Sequence, residues 1–160
     1  MAIKKAETKS YGRVGGVKKI LVIHGPNLDL LGQREIDVYG KVTIYYINRD
    51  LEKAAKAKKT ALTIVQSNHE GEIVGLIGRS KNKYDAILIN PAAYTHTSVA
   101  IRDAISAVNV PTVEVHLSNI YAREEFRRTS LISDVAKGQI CGFGKMSYIL
   151  GLEAAVSLIR

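Results

Sequence analysis

Short apolar runs alternate along the chain with longer segments in which apolar residues recur at helical spacing. The short runs are rich in β-branched residues, and they predict strands over residues 20–23, 61–66, 84–90, 111–115 and 139–143. The longer segments predict helices over residues 42–59, 70–80, 99–108 and 147–159, with a single helical turn over 124–128. Ser67 and Asn68 offer an N-cap for the second helix, and residues 91–97 are expected to form a loop.

Strands that alternate with helices indicate a parallel sheet covered on both faces. We therefore predict a flavodoxin-like α/β fold, a three-layer sandwich with a five-stranded parallel sheet of order 2-1-3-4-5. In this topology the loops after the first, third and fourth strands open on the same edge of the sheet. Ligands of such folds bind at that edge, outside the carboxyl ends of the strands.

Composition and charge narrow the class of protein. The chain has 160 residues, 46% of them hydrophobic and 24% charged, which predicts one domain with a substantial core. Of the formal net charge of +8, residues 1–19 carry +5 and the remaining 141 residues only +3. We predict a flexible basic extension over residues 1–18 and a single catalytic domain over residues 19–160.

Partners and compartment follow from the same observations. No nucleic-acid recognition motif accompanies the basic extension, so nucleic acid is not an expected partner. The single cysteine, Cys141, cannot form an internal disulfide, and no apolar run approaches the roughly 18 residues of a membrane span. We expect a cytoplasmic protein that does not engage a membrane.

Three polar loops carry the candidate chemistry. The first begins with the turn Gly25-Pro26-Asn27 and continues through a glycine-bracketed segment, 32–40, that is a candidate lid. The second spans residues 90–98, and the third spans 114–119 and runs on to three arginines, at positions 123, 127 and 128. The four histidines lack metal-type spacing, no dinucleotide glycine pattern follows the first strand, and no nucleophile elbow is present. The loops therefore offer acid and base groups without an evident metal, cofactor or covalent nucleophile.

These loops also resemble a known family. The stretches Gly25-Pro26-Asn27-Leu28, Leu30-Leu31-Gly32, Arg34-Glu35 and Tyr39-Gly40, the block 90–98 with Arg102-Asp103, and the block 114–119 with residues 122–127 closely resemble type II 3-dehydroquinate dehydratases. The resemblance covers the chain from about residue 19 to the C-terminus. It implies a cofactor-free lyase that converts 3-dehydroquinate to 3-dehydroshikimate and water, in aromatic biosynthesis or in quinate breakdown. It also implies a homo-oligomer built from trimers, a dodecamer.

The resemblance assigns roles to particular residues. It implies Tyr39 as proton acceptor, His116 as proton donor, Arg34 as stabiliser of the transition state, Asn27 as holder of a water against the enolate, and Glu114 as the group that orients His116. The implied substrate-binding residues are Asn90, His96, Leu117, Ser118, Arg127 and Arg123, with Asp103 reaching in from a neighbouring subunit. Two positions depart from the family pattern. His24 stands where asparagine is more common. Ile36 stands where proline is more common, and the loss of proline's rigid φ bears on the order of the lid.

The chemistry also fits the residues on its own terms. Eliminating water from a β-hydroxy ketone needs a base for the α-proton, a stabiliser for the enolate and an acid for the departing hydroxyl. The chain is too short for the eightfold βα barrel, about 250 residues, on which a Schiff-base dehydratase is built.

Two alternatives remain open from the sequence. A flavin-binding or phospho-receiver module could use the same fold. A receiver, however, should carry acidic residues where Gly25-Pro26-Asn27 and Asn90-Pro91 stand, and a flavin module would be yellow. A nucleic-acid adaptor could act through the basic extension, and deletion of residues 1–18 would abolish only that function.

Overall fold

The computed structural model describes residues 16–33 and 42–159. This part of the chain contains the strands β1 (Lys18–His24), β2 (Thr60–Gln66), β3 (Ala86–Asn90), β4 (Thr112–His116) and β5 (Gly138–Cys141). Its α-helices are α1 (Ile44–Ala57), α2 (Glu70–Gly78), α3 (Val99–Val108) and α4 (Met146–Ser157). Short 3₁₀ helices cover Leu28–Leu30, Ala92–His96, Ile120–Ala122 and Glu125–Arg127. None of the helices in the described part combines the length and apolar character that a membrane span requires.

The strands form one parallel sheet in the order β2-β1-β3-β4-β5, which confirms the predicted flavodoxin-like topology. The register brings the ends of the central strands together, because His24 of β1 lies opposite Asn90 of β3. On the other side, His116 of β4 lies opposite Cys141 of β5. The loops after β1, β3 and β4 therefore leave the sheet side by side.

Alternating strand residues fill two separate cores, one on each face of the sheet. On one face, Ile20, Val22 and Leu88 pack with Leu51 of α1 and Leu152 of α4. The opposite face, which packs against α2 and α3, buries Leu21, Ile23, Ile87, Ile89, Ile73, Ile77, Ile101 and Ile105. A strand buried on both faces needs a continuous apolar run, which is why residues 20–23 of β1 and 86–89 of β3 are all apolar.

Helix α4 lies unusually close to the sheet at Gly151. A Cβ atom there would lie 2.5 Å from Val115 Cγ1 and 2.7 Å from Leu88 Cδ1, so the absence of a side chain allows this approach. Tyr148, one turn earlier in α4, is 1% exposed and belongs to the same core.

The structure corrects one predicted feature and refines others. The N-cap of α2 is His69, not Ser67 or Asn68, because the Ser67 hydroxyl accepts the His69 N–H and donates to Glu72 in a turn that precedes the helix. The expected loop 91–97 contains the 3₁₀ helix Ala92–His96, whereas α3 has its predicted bounds. Strand β3 begins two residues later than predicted, since the Tyr84 N–H donates to the Ser80 carbonyl instead of to the sheet.

Candidate active site

The first two loops meet at a close backbone contact. The Gly25 N–H donates to the Asn90 carbonyl over 2.7 Å. A Cβ at Gly25 would lie 2.5 Å from the Pro91 carbonyl oxygen, so only glycine permits this approach. The end of β1 and the end of β3 are thereby joined into one polar rim.

Asn27 is held in the left-handed region by its neighbours. Its φ is 64°, a conformation that asparagine tolerates better than most residues. Its N–H donates to Asn68 Oδ1 over 2.8 Å, and the same oxygen accepts from Gln66 Nε2 over 3.0 Å. The loop after β2 thus fixes the backbone of Asn27, and Asn27 itself remains exposed at the rim.

Asn90 ends β3 with its side chain almost fully buried, at 3% exposure. Its Oδ1 accepts the N–H of Ala92 over 3.1 Å, an Asx-type turn. Ala92 has a φ of 51°, which is strained for a residue with a side chain, and the Asn90 hydrogen bond helps to hold it. The carboxamide is therefore fixed through its oxygen.

Glu114 and His116 form a buried pair on β4. Two residues apart on a strand, their side chains share one face of the sheet, and His116 Nε2 lies 2.7 Å from Glu114 Oε1. The pair is 0% and 5% exposed, respectively. Because a carboxylate only accepts, His116 donates its Nε2–H, and its Nδ1 makes no hydrogen bond to any residue in the described ranges.

The Glu114 carboxylate is surrounded by further donors. The hydroxyls of Thr95 and Ser130 both donate to it, the latter over 2.9 Å, and Gln139 Nε2 donates over 3.0 Å. Burial alone would raise the pKa of Glu114, but the hydrogen bond and charge of His116 and the two hydroxyls outweigh it and lower that pKa. Glu114 is therefore ionised at neutral pH.

His96, Leu117 and Ser118 also lie at this edge. The His96 Nδ1–H donates to the Thr129 carbonyl over 2.7 Å, which leaves Nε2 for a ligand. Leu117 is buried and its carbonyl accepts the Gly144 N–H over 2.9 Å, while Ser118 is half-buried.

The arginine loop is organised by Glu124. Arg127 Nη1 lies 2.7 Å from Glu124 Oε1, and Arg123 Nε lies 3.3 Å from Glu124 Oε2. The backbone N–H of Glu124 and then the two arginines lower the pKa of its carboxyl to about 2. The Arg127 guanidinium also stacks over Phe126, 4.6 Å from the ring centre. Both predicted arginines are thus fixed at neutral pH by one carboxylate.

Asp103 does not join these residues within one chain. It lies on α3 with a side chain that is 68% exposed, and Arg102 Nη1 is 3.7 Å from its carboxylate. Arg102 itself is held more closely by Asp134, over 2.8 Å. The structure therefore leaves Asp103 on the outer surface of the chain.

Two predicted catalytic residues, Arg34 and Tyr39, lie outside the described residues, as does Ile36. Within residues 16–33 and 42–159, no group of three or more histidine, cysteine or acidic side chains is placed to hold a metal ion. The described rim therefore consists of amide, imidazole, carboxylate, hydroxyl and guanidinium groups.

Several groups that build the site were not singled out from the sequence. Thr95 lies inside the second loop and was not given a role, and Ser130 and Gln139 carry no local signal. Asn68 was considered only as an N-cap, although its position in the loop after β2, which also opens on the site edge, pointed to a role in the site. Tyr148 could have been noticed as a tyrosine in an apolar helical stripe, because a buried phenol needs a hydrogen-bond partner.

A flavodoxin-like α/β sheet with a buried imidazole–carboxylate pair at its carboxyl edge defines an enzyme of the acid–base class. The family model "Dehydroquinase class II" matches residues 18–156. The chain therefore belongs to the class II dehydroquinases, which confirms the family resemblance and decides against the flavin and receiver alternatives.

Individual relatives agree with this family. The chain is 61% identical over 141 residues to a 3-dehydroquinate dehydratase of Trichodesmium erythraeum, covering 88% of this chain and 94% of that protein. It is 57% identical over 141 residues to a 3-dehydroquinate dehydratase of Nostoc, covering 88% and 96%. The crystal structure of type II dehydroquinase from Butyrivibrio crossotus is 44% identical with a TM-score of 0.85, covering 87% of this chain and 97% of that one.

Proposed function

We propose that this protein eliminates water from 3-dehydroquinate to give 3-dehydroshikimate through an enolate. Membership of the class II dehydroquinases supports this proposal, and so do the names of the relatives above. The observation that carries it is the buried Glu114–His116 pair at the rim formed by β1, β3 and β4. The reaction belongs to aromatic amino acid biosynthesis or to quinate breakdown, and the enzyme acts in the cytoplasm.

The proton balance of the reaction requires two groups. Tyr39 accepts the proton from the carbon α to the ketone, and the electron pair of that C–H bond forms the enolate. The enolate then collapses to the conjugated ketone and breaks the β C–O bond, and His116 gives its proton to the departing hydroxyl, which leaves as water. One proton passed from the base back to the acid, through solvent, resets the enzyme.

His116 is suited to the acid role by its pairing with Glu114. The ionised carboxylate fixes the ring orientation through the Nε2–H and stabilises the positive charge when both ring nitrogens carry a proton. Nδ1 is then the nitrogen that protonates the departing hydroxyl. Arg34 and a water held by Asn27 stabilise the enolate on the other side of the substrate.

The remaining rim residues bind the substrate. Asn90, His96, Leu117 and Ser118 take its hydroxyls and carboxylate. Arg127 and Arg123 add positive charge, and the ion pairs with Glu124 orient their guanidinium groups. These assignments follow from the family resemblance and from the positions of the residues at one edge of the sheet.

Assembly completes the proposal. Asp103 reaches the site of a neighbouring subunit, which is consistent with its 68% exposure on α3. The enzyme is then a homo-oligomer of trimers, a dodecamer, in which residues 19–160 form the catalytic domain and residues 1–18 are a basic extension.

The test is the absorbance of the conjugated product when pure protein meets 3-dehydroquinate. We expect turnover by the full chain and by a variant that lacks residues 1–18, because none of the catalytic or substrate-binding residues named above belongs to that segment. A full chain that leaves 3-dehydroquinate unchanged, while its circular dichroism shows a folded protein, would overturn the proposal.

A further inference from the structure

A buried polar chain runs beneath the rim and is not used by the reaction described above. His24, the last residue of β1, is 0% exposed, and its Nδ1 lies 2.8 Å from the Tyr148 hydroxyl. Its Nε2 lies 2.8 Å from Asn48 Oδ1 on α1. Three polar side chains from β1, α1 and α4 thus meet at an otherwise apolar core, where His24 and Tyr148 are buried and Asn48 is half-buried, and buried polar groups of this kind need a reason.

The sheet register places Tyr148 beside Asn90 as well. His24 and Asn90 are partners across β1 and β3, and they extend the face of the sheet that carries Val22 and Leu88. The Asn90 carboxamide therefore lies beside the Tyr148 hydroxyl, within reach of a hydrogen bond. Burial raises the pKa of Tyr148, and the Asn90 side chain opposes this rise.

The Ala92 N–H sets the direction of every hydrogen bond in this chain of buried side chains. The Ala92 N–H occupies Asn90 Oδ1, so the amide nitrogen of Asn90 faces Tyr148. The phenol oxygen accepts from Asn90 and its proton goes to His24 Nδ1, which must be unprotonated. The single ring proton of His24 is then on Nε2 and is donated to Asn48 Oδ1.

The pKa of His24 agrees with these hydrogen-bond directions. Burial lowers the pKa of His24 to about 4, and the hydrogen bond to Asn48 opposes this only in part. The ring is therefore neutral at physiological pH and carries one proton, as the chain requires. Each link has one donor and one acceptor, and reversing the Asn90 carboxamide would leave the Ala92 N–H facing an amide NH₂ group.

We propose that Tyr148 and His24 are positioning residues that lock the Asn90 carboxamide with one amide N–H available as a donor to the substrate. Asn90 Nδ2 carries two hydrogens, of which one is bound by Tyr148 and the other is left for a substrate hydroxyl or carboxylate oxygen. This inference rests on the proposed function, in which Asn90 binds the substrate. It adds two residues from β1 and α4 that control the binding geometry without touching the substrate.

Tyr148→Phe tests the inference most simply, because it removes the hydroxyl and keeps the packed ring. A substrate contact present equally in the bound and transition states affects KM rather than kcat. We expect KM to rise about three- to tenfold, with kcat within about twofold of wild type. Tyr84→Phe is the matched control, since Tyr84 is half-buried before the opposite end of β3, and its KM should be unchanged.

Position 24 supplies a second pair of variants. The Oδ1 of asparagine occupies nearly the same place relative to Cβ as the Nδ1 of histidine, so His24→Asn keeps the acceptor for Tyr148. His24→Leu removes it. We expect His24→Asn to stay close to the wild-type KM and His24→Leu to raise KM as Tyr148→Phe does. A purely structural role would instead lower the thermal midpoint of the variants and leave KM alone.

A double-mutant cycle with Asn90→Ala decides whether Tyr148 acts through Asn90. If it does, Tyr148→Phe should leave KM unchanged in the Asn90→Ala background. The inference is overturned if the Tyr148→Phe effect persists there, or if folded Tyr148→Phe and His24→Leu keep the wild-type KM. Turnover by the wild type is measured first, so that a failure of the proposed function appears as no product at all and not as an altered cycle.

Discussion

Replacing Glu114 with glutamine isolates the contribution of its charge to catalysis. Glu114→Gln preserves the size of the side chain, but four side chains direct donors at this carboxylate, from His116, Thr95, Ser130 and Gln139. An amide offers one acceptor oxygen and turns an NH₂ group toward some of these donors. The Thr95 and Ser130 hydroxyls can rotate to accept from this NH₂ group, so the amide oxygen can still accept the hydrogen bond from the His116 Nε2–H.

The magnitude follows from the bond to His116. A hydrogen bond to a charged group contributes about 1.5–3 kcal/mol and a neutral one about 0.5–1.5 kcal/mol, so the protonated ring loses about 1–1.5 kcal/mol of stabilisation. With 1.36 kcal/mol for each factor of ten, kcat at neutral pH should fall about tenfold. The alkaline limb of the kcat profile should move about one pH unit lower, because the acid form is less stable. KM should change little, since Glu114 does not contact the substrate.

The same variant should alter stability in a pH-dependent way. The pKa of Glu114 is lower in the folded chain than its ordinary value of 4.5, so its ionised form stabilises the fold above that pH. This contribution is lost as the pH falls through the folded-state pKa. The gap in thermal midpoint between wild type and Glu114→Gln should therefore be constant above about pH 5 and close progressively in more acidic solution.

The assay is product absorbance across a pH series, combined with thermal unfolding followed by circular dichroism. Glu153→Gln is the matched control, because Glu153 is 52% exposed and forms a surface ion pair with Lys58. It should change neither kcat nor the profile. A Glu114→Gln enzyme with wild-type kcat and an unmoved alkaline limb would refute the role given to the pair.

Three further outcomes are expected. Tyr39→Phe should abolish turnover while product still binds in calorimetry. Arg34→Ala should move the limb of the pH–rate profile that reports the base to higher pH, because a guanidinium stabilises a phenolate, and the ordinary pKa of a tyrosine is near 10. Wild-type turnover by Tyr39→Phe, or an unmoved limb in Arg34→Ala, would refute the pairing of Arg34 with Tyr39. Activity should survive both a chelator and borohydride added with substrate, since the mechanism uses neither a metal nor a Schiff base, and inactivation by either would contradict it. Asp103→Ala should weaken substrate binding several-fold without unfolding the chain, and light scattering of the wild type should give a trimer-based mass; a fully active monomer would exclude the shared site.

The fold was predictable because its signals are local and repeated. Apolar runs such as residues 20–23 end at a turn, and their alternation with amphipathic helices restricts the topology to a few arrangements. The pairing of Glu114 with His116 was also accessible, since residues two apart on a strand must share a face. The Ser67 N-cap was wrong because a serine hydroxyl can close a turn before a helix as readily as it can cap one.

The rest of the site depends on contacts between distant parts of the chain. Ser130 reaches Glu114 from an irregular loop whose path no periodicity predicts. The buried chain joins His24, Asn48, Asn90 and Tyr148, four residues spread over 125 positions of the sequence. Each of them taken alone is an ordinary core or helix residue. The register of β1 with β3 and the close approach of α4 at Gly151 bring His24, Asn90 and Tyr148 together, and α1 adds Asn48.

The central claim is that this rim eliminates water from 3-dehydroquinate with His116 as the acid. Proton NMR of 3-dehydroquinate in deuterium oxide, with wild type and His116→Ala side by side, tests it most directly. The wild type should produce 3-dehydroshikimate. His116→Ala should form almost none and yet exchange the α-hydrogen of the recovered substrate for deuterium, because removal of that proton does not need the acid. Product formation by His116→Ala at the wild-type rate, or no product from the wild type, would contradict the claim.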